Sequence, residues 1–233
     1  VDLFRRSGPV DGMRVPKDAF FANQTMWNNT PELWTEGRPS IFIPGHWNYP
    51  NGTEKPINVF ISPGIENVEL RINGKKQPKG ERFNTFVFTF KDVIIEPGKI
   101  DAIGYDSKGK QVASYTHETV GEPVALTMNV ISHPEGMRAD GSDMVLIETE
   151  TVDALGRRAP LDQSVINYNV DGPAVWRGGI WEEDVPRYAN KKELPVINGV
   201  HRVIVRSTLM PGIIRITASA KGMQQATVEI PVL

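Results

Sequence analysis

Apolar residues recur at every second position along much of the chain. Val68, Leu70 and Ile72 alternate with Glu69 and Arg71, which is the period of a strand with one face buried. Asn73-Gly74 follows at once and supplies the φ > 0 residues that a two-residue hairpin turn needs. The same patterning predicts strands over 40–43, 57–62, 68–73, 85–90, 99–105 and 111–116. It predicts a second set over 124–132, 144–152, 165–170, 203–207, 212–220 and 225–232. Residues 85–90 (TFVFTF) alternate only in part, but Thr and aromatic residues favour strands. One stretch has a helical period instead. Pro16 suits a first helical turn, and residues 17–27 (KDAFFANQTMW) place Phe20, Phe21, Gln24 and Trp27 near one face. Pro31 ends that helix.

Many short strands separated by Gly and Pro turns define a mainly β protein. Two groups of six strands read as two tandem immunoglobulin-like β-sandwich domains. The expected division is a helical segment over 1–36, a first sandwich over 37–121 and a second over 122–233. Gly121-Glu122-Pro123 is the boundary, and its shortness makes the two sandwiches neighbours and not beads on a flexible string.

Composition narrows the function classes. A chain of 233 residues holds two domains of ordinary size. Its net charge of −2, with Lys and Arg dispersed, gives no bulk attraction to nucleic acid or to an anionic membrane. No run reaches the roughly 18 apolar residues of a membrane span, and no signal peptide is visible. The absence of cysteine removes disulfides, thiol nucleophiles and thiolate metal sites together. It suits a bacterial periplasmic or secreted protein, and a cytoplasmic one equally. The chain opens at Val1 inside what reads as folded sequence, so it is expected to be a piece of a longer protein.

Residues 45–75 (GHWNYPNGTEKPINVFISPGIENVELRINGK) resemble the start of the first accessory β-domain after the catalytic barrel in family-2 glycoside hydrolases of the β-galactosidase type. A His-Trp-Asn motif, a strand and VEL-x-x-NGK recur there in this order. Residues 138–160 (RADGSDMVLIETETVDALGRRAP) and 199–230 (GVHRVIVRSTLMPGIIRITASAKGMQQATVEI) resemble the bacterial Ig-like motif at the far C-terminus of the same enzymes. Residues 2–18 (DLFRRSGPVDGMRVPKD) resemble the loop after their last barrel strand, which would make the helix over 17–27 the final helix of a (β/α)8 barrel. The resemblance implies the C-terminal accessory region of a retaining hydrolase of β-glycosides, with the catalytic barrel of the same parent chain as its partner. A homo-oligomer interface and a contribution to the substrate rim are further roles it implies.

Candidate chemistry is sparse. A retaining glycosidase needs two carboxylates about 5 Å apart, and in the resembled enzymes both lie before the last barrel helix. The chain alone is therefore expected to be inactive, with no catalytic residues and no cofactor. His46, His117, His133 and His201 show no metal-ligand spacing, and a structural or exposed role is expected of each. Residues 140–143 (DGSD) lack the ligand series of a calcium loop and read as a turn. Carbohydrate binding is the live alternative, because sugars stack their apolar faces on exposed rings. Trp176, Arg177, Trp181 and Tyr188 lie in one irregular, Gly-rich stretch, and His46, Trp47 and Tyr49 in a Pro-flanked bend. A strand through 175–180 would send positions 176 and 181 to opposite faces. Gly178-Gly179 makes a bulge there that can bring both to one side. The opposing expectation has Trp176 in the core. An adhesin-like array of Ig domains is a third possibility.

Overall fold

The computed structural model describes residues 8–27, 39–180 and 189–233. They form two compact units, Gly8–Val10 with Pro16–Thr119, and Asp11–Val15 with Val120–Leu233. Each unit is a β-sandwich of two four-stranded antiparallel sheets.

The first unit contains helix α1 (Asp18–Trp27) and strands β1 (Ile41–Phe42), β2 (Glu54–Ile61), β3 (Asn67–Ile72), β4 (Lys75–Lys76), β5 (Glu81–Asn84), β6 (Val87–Ile94), β7 (Lys99–Tyr105) and β8 (Gln111–Glu118). Its sheets have the orders β1-β2-β6-β5 and β4-β3-β7-β8. Val59 and Ile61 from one and Leu70, Ile72 and Ile100 from the other meet in a common apolar core. The Asn-Gly turn forms as the sequence requires, with φ of 49° at Asn73 and 80° at Gly74 and with Ile72 opposite Lys75. Asn73 Oδ1 also accepts the Lys99 N–H at 2.8 Å, so the turn side chain pins the neighbouring strand. A bulge lies just beyond residues 85–90. Val93 pairs with Lys55 and Phe90 with Ile57, so β6 carries one residue more than β2 across that interval. Asp92, at φ 53°, takes up the bulge.

Helix α1 begins one residue later than expected and buries a different face. Ala22 and Thr25 point inward, whereas Phe21 and Trp27 are 38% and 67% exposed. The helix packs on β1 and β2, and its small residues allow a close approach to the sheet. Phe21 still reaches Phe42, with ring centroids 5.8 Å apart. Asp18 Oδ2 accepts the Gly45 N–H at 2.8 Å and ties the helix start to the Pro-flanked bend.

The second unit contains β9 (Ala125–Ile131), β10 (Met144–Val152), β11 (Val165–Asp171), β12 (Ala174–Gly179), β13 (Glu193–Pro195), β14 (Val200–Ser207), β15 (Gly212–Ser219) and β16 (Ala226–Val232). Its sheets are β12-β14-β10-β9 and β13-β11-β15-β16. Ile147, Val203 and Val205 from the first face Ile166, Ile214 and Ile216 from the second. Asp140 Oδ1 accepts the N–H groups of Ser142 and Asp143 at 2.8 and 2.7 Å, which makes residues 140–143 a turn. Asp153 closes the next one. Its carboxylate accepts from the Leu155, Arg157 and Gly121 N–H groups and from the Arg157 guanidinium. That guanidinium and those N–H groups hold the Asp153 carboxyl well below the usual range.

Besides β12, which falls on the stretch 175–180 considered above, three strands lie outside the predicted set: β4, β5 and β13. All three are sheet edges. An edge strand has one neighbour and one ladder, and charged edge residues discourage pairing with other chains. Their sequences (KK, ERFN, ELP) therefore carry almost no apolar alternation.

Candidate functional site

The stretch offered for sugar stacking begins on edge strand β12. Trp176 stands opposite Val205, a fully buried position, so its ring points inward. β12 is the edge strand of its sheet among the described residues, bridged on its outer side only at Gly178–Ala189, and the ring is half-buried. It packs on the core beside Tyr168, at a centroid distance of 5.2 Å and a tilt of 38°. Its Nε1–H donates to the Lys191 carbonyl at 2.8 Å. The expected bulge is present. Trp176 pairs with Val205 and Gly178 with Ile204, which leaves Arg177 as the extra, exposed residue. Gly178 adopts φ 70°, and a Cβ on Gly179 would stand 2.7 Å from the Arg202 carbonyl oxygen, so both glycines are required. Trp181 and Tyr188 lie outside the described residues.

The Pro-flanked bend is built differently from a stacking platform. Trp47 is 2% exposed and belongs to the first core, and its Nε1–H donates to the Glu96 carbonyl at 3.0 Å. A ring enclosed in this way presents no face to a ligand. His46 and Tyr49 stack on each other at 4.3 Å with an interplanar angle of 22°. Lys55 Nζ lies 4.0 Å above the Tyr49 ring and donates to its hydroxyl at 2.7 Å. Burial and the Lys55 charge lower the His46 pKa, so this half-buried cluster carries one cation and a neutral imidazole at pH 7. Nearby, His117 Nε2–H donates to the Ile43 carbonyl at 2.9 Å, and burial depresses its pKa as well.

A polar centre inside the second sandwich was not singled out from the sequence. Tyr168 Oη lies 2.6 Å from Thr149 Oγ1 and 2.5 Å from His201 Nε2. His201 Nδ1–H donates to the Pro195 carbonyl at 3.0 Å. That bond leaves Nε2 of the neutral ring as the acceptor of the Tyr168 proton, with Tyr168 Oη free to accept from Thr149. Burial lowers the His201 pKa to about 4 and raises that of Tyr168. The signal was present in the spacing, since His201, Val203 and Val205 share one parity on β14. Among the described residues, no three His, Asp or Glu side chains are grouped to hold a metal ion. No described helix is long and apolar enough to cross a membrane.

Fold and site together define a pair of β-sandwich modules in which Trp47 and Trp176 serve packing and hydrogen bonding. Residues 128–229 match the family described as glycoside hydrolase family 2 C-terminal domain 5, and residues 52–113 match a domain family of unknown function, DUF4982. The matched segment, residues 128–229 in the second sandwich, belongs to that family of C-terminal domains. It is 39% identical over 230 residues to a β-glucuronidase of Formosa agariphila, covering 98% of this chain and 22% of that protein. It is 26% identical over 227 residues to a β-galactosidase of Bacteroides ovatus, covering 96% of this chain and 25% of that one. A solved β-glucuronidase of family 2 superposes with a TM-score of 0.89 at 39% identity, over 97% of this chain and 23% of that structure. The chain thus spans about a quarter of the length of the curated relatives it matches.

Proposed function

We propose that the chain is the non-catalytic accessory region of a retaining family-2 hydrolase of β-glycosides, related to β-galactosidases and β-glucuronidases. In this reading residues 1–36 are the last barrel loop and helix, 37–121 the first accessory sandwich and 122–233 the second. The region buttresses the barrel of the same parent chain and borders its substrate rim or an oligomer interface. The parent works in the periplasm or outside a bacterial cell.

The observation that carries the reading is the order of the matches. A family-2 C-terminal domain follows a second matched domain in one chain, and the resemblance to a β-glucuronidase runs through both. The placement of the aromatic residues supports a scaffold over a binding module. Trp47 is enclosed, and Trp176 spends one face on Tyr168 and its N–H on Lys191.

Titration of the chain with galacto-, glucurono- and manno-oligosaccharides, followed by Trp fluorescence, tests this. No saturable change is expected, and aryl β-glycosides should not be turned over. Saturable quenching that disappears in Trp181→Ala would transfer the reading to a carbohydrate-binding module. Turnover that survives repurification would overturn it.

A further inference from the structure

Arg71, Arg82, Arg138, Arg157, Arg202 and Arg215 each hold a carboxylate. Among the described residues Arg14, Arg177 and Arg206 hold none, and all three belong to the second unit. Arg206 is the most demanding of them. Its Nε is buried and has no hydrogen-bond partner, so the group gives up water on folding and regains no bond within the chain.

Arg206 lies on the outward face of the sheet β12-β14-β10-β9. It stands opposite Met144, and Ile204 stands opposite Leu146, which pairs in turn with Ile131 on β9. Arg177 is the bulge residue of β12, next to the Gly178 that pairs with Ile204. The carboxylates of this face are engaged already. Glu148 accepts from Arg202 Nε and Nη2 at 2.7 and 2.6 Å, and Glu150 lies 3.6 Å from Arg158.

The turn Asp11–Val15 belongs to the same unit. Asp11 Oδ1 accepts the N–H groups of Met13 and Val15, each at 2.8 Å, and Arg202 Nη1 donates to the Arg14 carbonyl at 2.5 Å. Arg14 is thereby fixed at φ 63° with its side chain exposed. Between this turn and the sheet runs a groove of about 380 Å³, at the small end of the range for small-molecule sites. Ile131, Leu146 and Ile204 give it apolar surface, Arg14 and His133 line it too, and no carboxylate does. His133 Nδ1 accepts the Glu135 N–H at 3.2 Å, which leaves Nε2–H as a donor.

We propose that this groove binds a small organic carboxylate with an apolar body. Arg206 takes the carboxylate, Arg14 and His133 border it, and the body covers Leu146 and Ile204. The planar guanidinium fork matches a carboxylate. A bare inorganic anion would leave the apolar residues wet, and a neutral apolar molecule would leave Arg206 without a partner. The proposal rests on the second unit alone and is independent of the accessory-region reading.

The test titrates the whole chain with hexanoate and follows amide shifts by NMR. The Ile131, Leu146 and Ile204 signals should move together and saturate. Acetate lacks the apolar body and hexanol lacks the charge, so each should bind at least about tenfold more weakly. Arg206→Met should weaken hexanoate binding about tenfold, and Arg206→Lys by less, because Lys keeps the charge and loses the fork. Met144→Glu places a carboxylate beside Arg206 at an exposed position. It should abolish binding without lowering the melting temperature. Arg215→Met, on the other sheet, should change nothing. Absence of saturation by hexanoate, or equal affinity for hexanoate and acetate, would overturn the proposal. Full affinity in both Arg206→Met and Met144→Glu would do the same. Saturation by acidic peptides and by no small carboxylate would overturn the small ligand in favour of a protein partner.

Discussion

The two sandwiches share one architecture and fill it differently. Both pack two four-stranded antiparallel sheets around aliphatic residues from their inward positions. The first has an almost wholly apolar interior with one large indole, Trp47, at its bend. The second places Thr149, Thr151, Tyr168 and His201 inside. An apolar core loses stability chiefly when volume is removed. A core with a hydrogen-bonded imidazole also loses it when a proton is added, because a charge in that position cannot be solvated. The same fold thus acquires two different sensitivities.

The largest effect expected on either core is that of Trp47→Ala. It removes an enclosed indole and its bond to Glu96, at a cost of about 3–5 kcal/mol. Urea unfolding followed by residue-resolved hydrogen exchange should place the loss in the first unit alone. An equal loss in both units would show that the cores are not independent.

Acid should act in the opposite sense, on the second unit. Folded His201 binds its proton near pH 4, whereas in the unfolded chain it does so near 6.5. Between those values the unfolded state holds more protons, so stability falls as the pH drops through that window. The contribution is fully present above pH 6.5, and about 3 kcal/mol is lost by pH 4. His46 and His117 in the first unit shift in the same direction, but both are less deeply buried than His201. Unfolding at pH 7 and pH 4.5 should show the steeper decline in the second unit, and His201→Gln should flatten it. Identical declines in wild type and His201→Gln would remove the imidazole as the cause.

A smaller effect is expected of Trp176→Ala, about 1–2 kcal/mol, because only part of the ring leaves water on folding. A cost matching that of Trp47→Ala would mean that the edge-strand position is sealed as tightly as the first core.

The expectation from sequence that Trp176 is a core residue is met on one face of the ring only. The apolar entry at Ala174-Val175 pointed the ring inward, but a local pattern does not say whether a strand lies at a sheet edge, and β12 does. The same blindness hid β4, β5 and β13, whose charged sequences are suited to edges and uninformative as strands. In the helix, periodicity grouped Phe20, Phe21, Gln24 and Trp27, yet the sheet received Ala22 and Thr25. Phe20, Phe21, Met26 and Trp27 are spread around that helix, so its pattern does not name a single face.

By itself the sequence determined what local geometry enforces. Alternation specified the central strands, Asn73-Gly74 specified its hairpin, and the Gly178-Gly179 pair specified a break in β12. The order of motifs was enough to find the family. Tertiary structure decided what depends on partners distant in the chain. It brought Tyr168 to Thr149 and His201, enclosed Trp47, and joined Arg202 to Glu148 and to Arg14, 188 residues away. Such contacts carry no local period. Their energies appear only when water is excluded from between the groups, and only the packed sandwich excludes it.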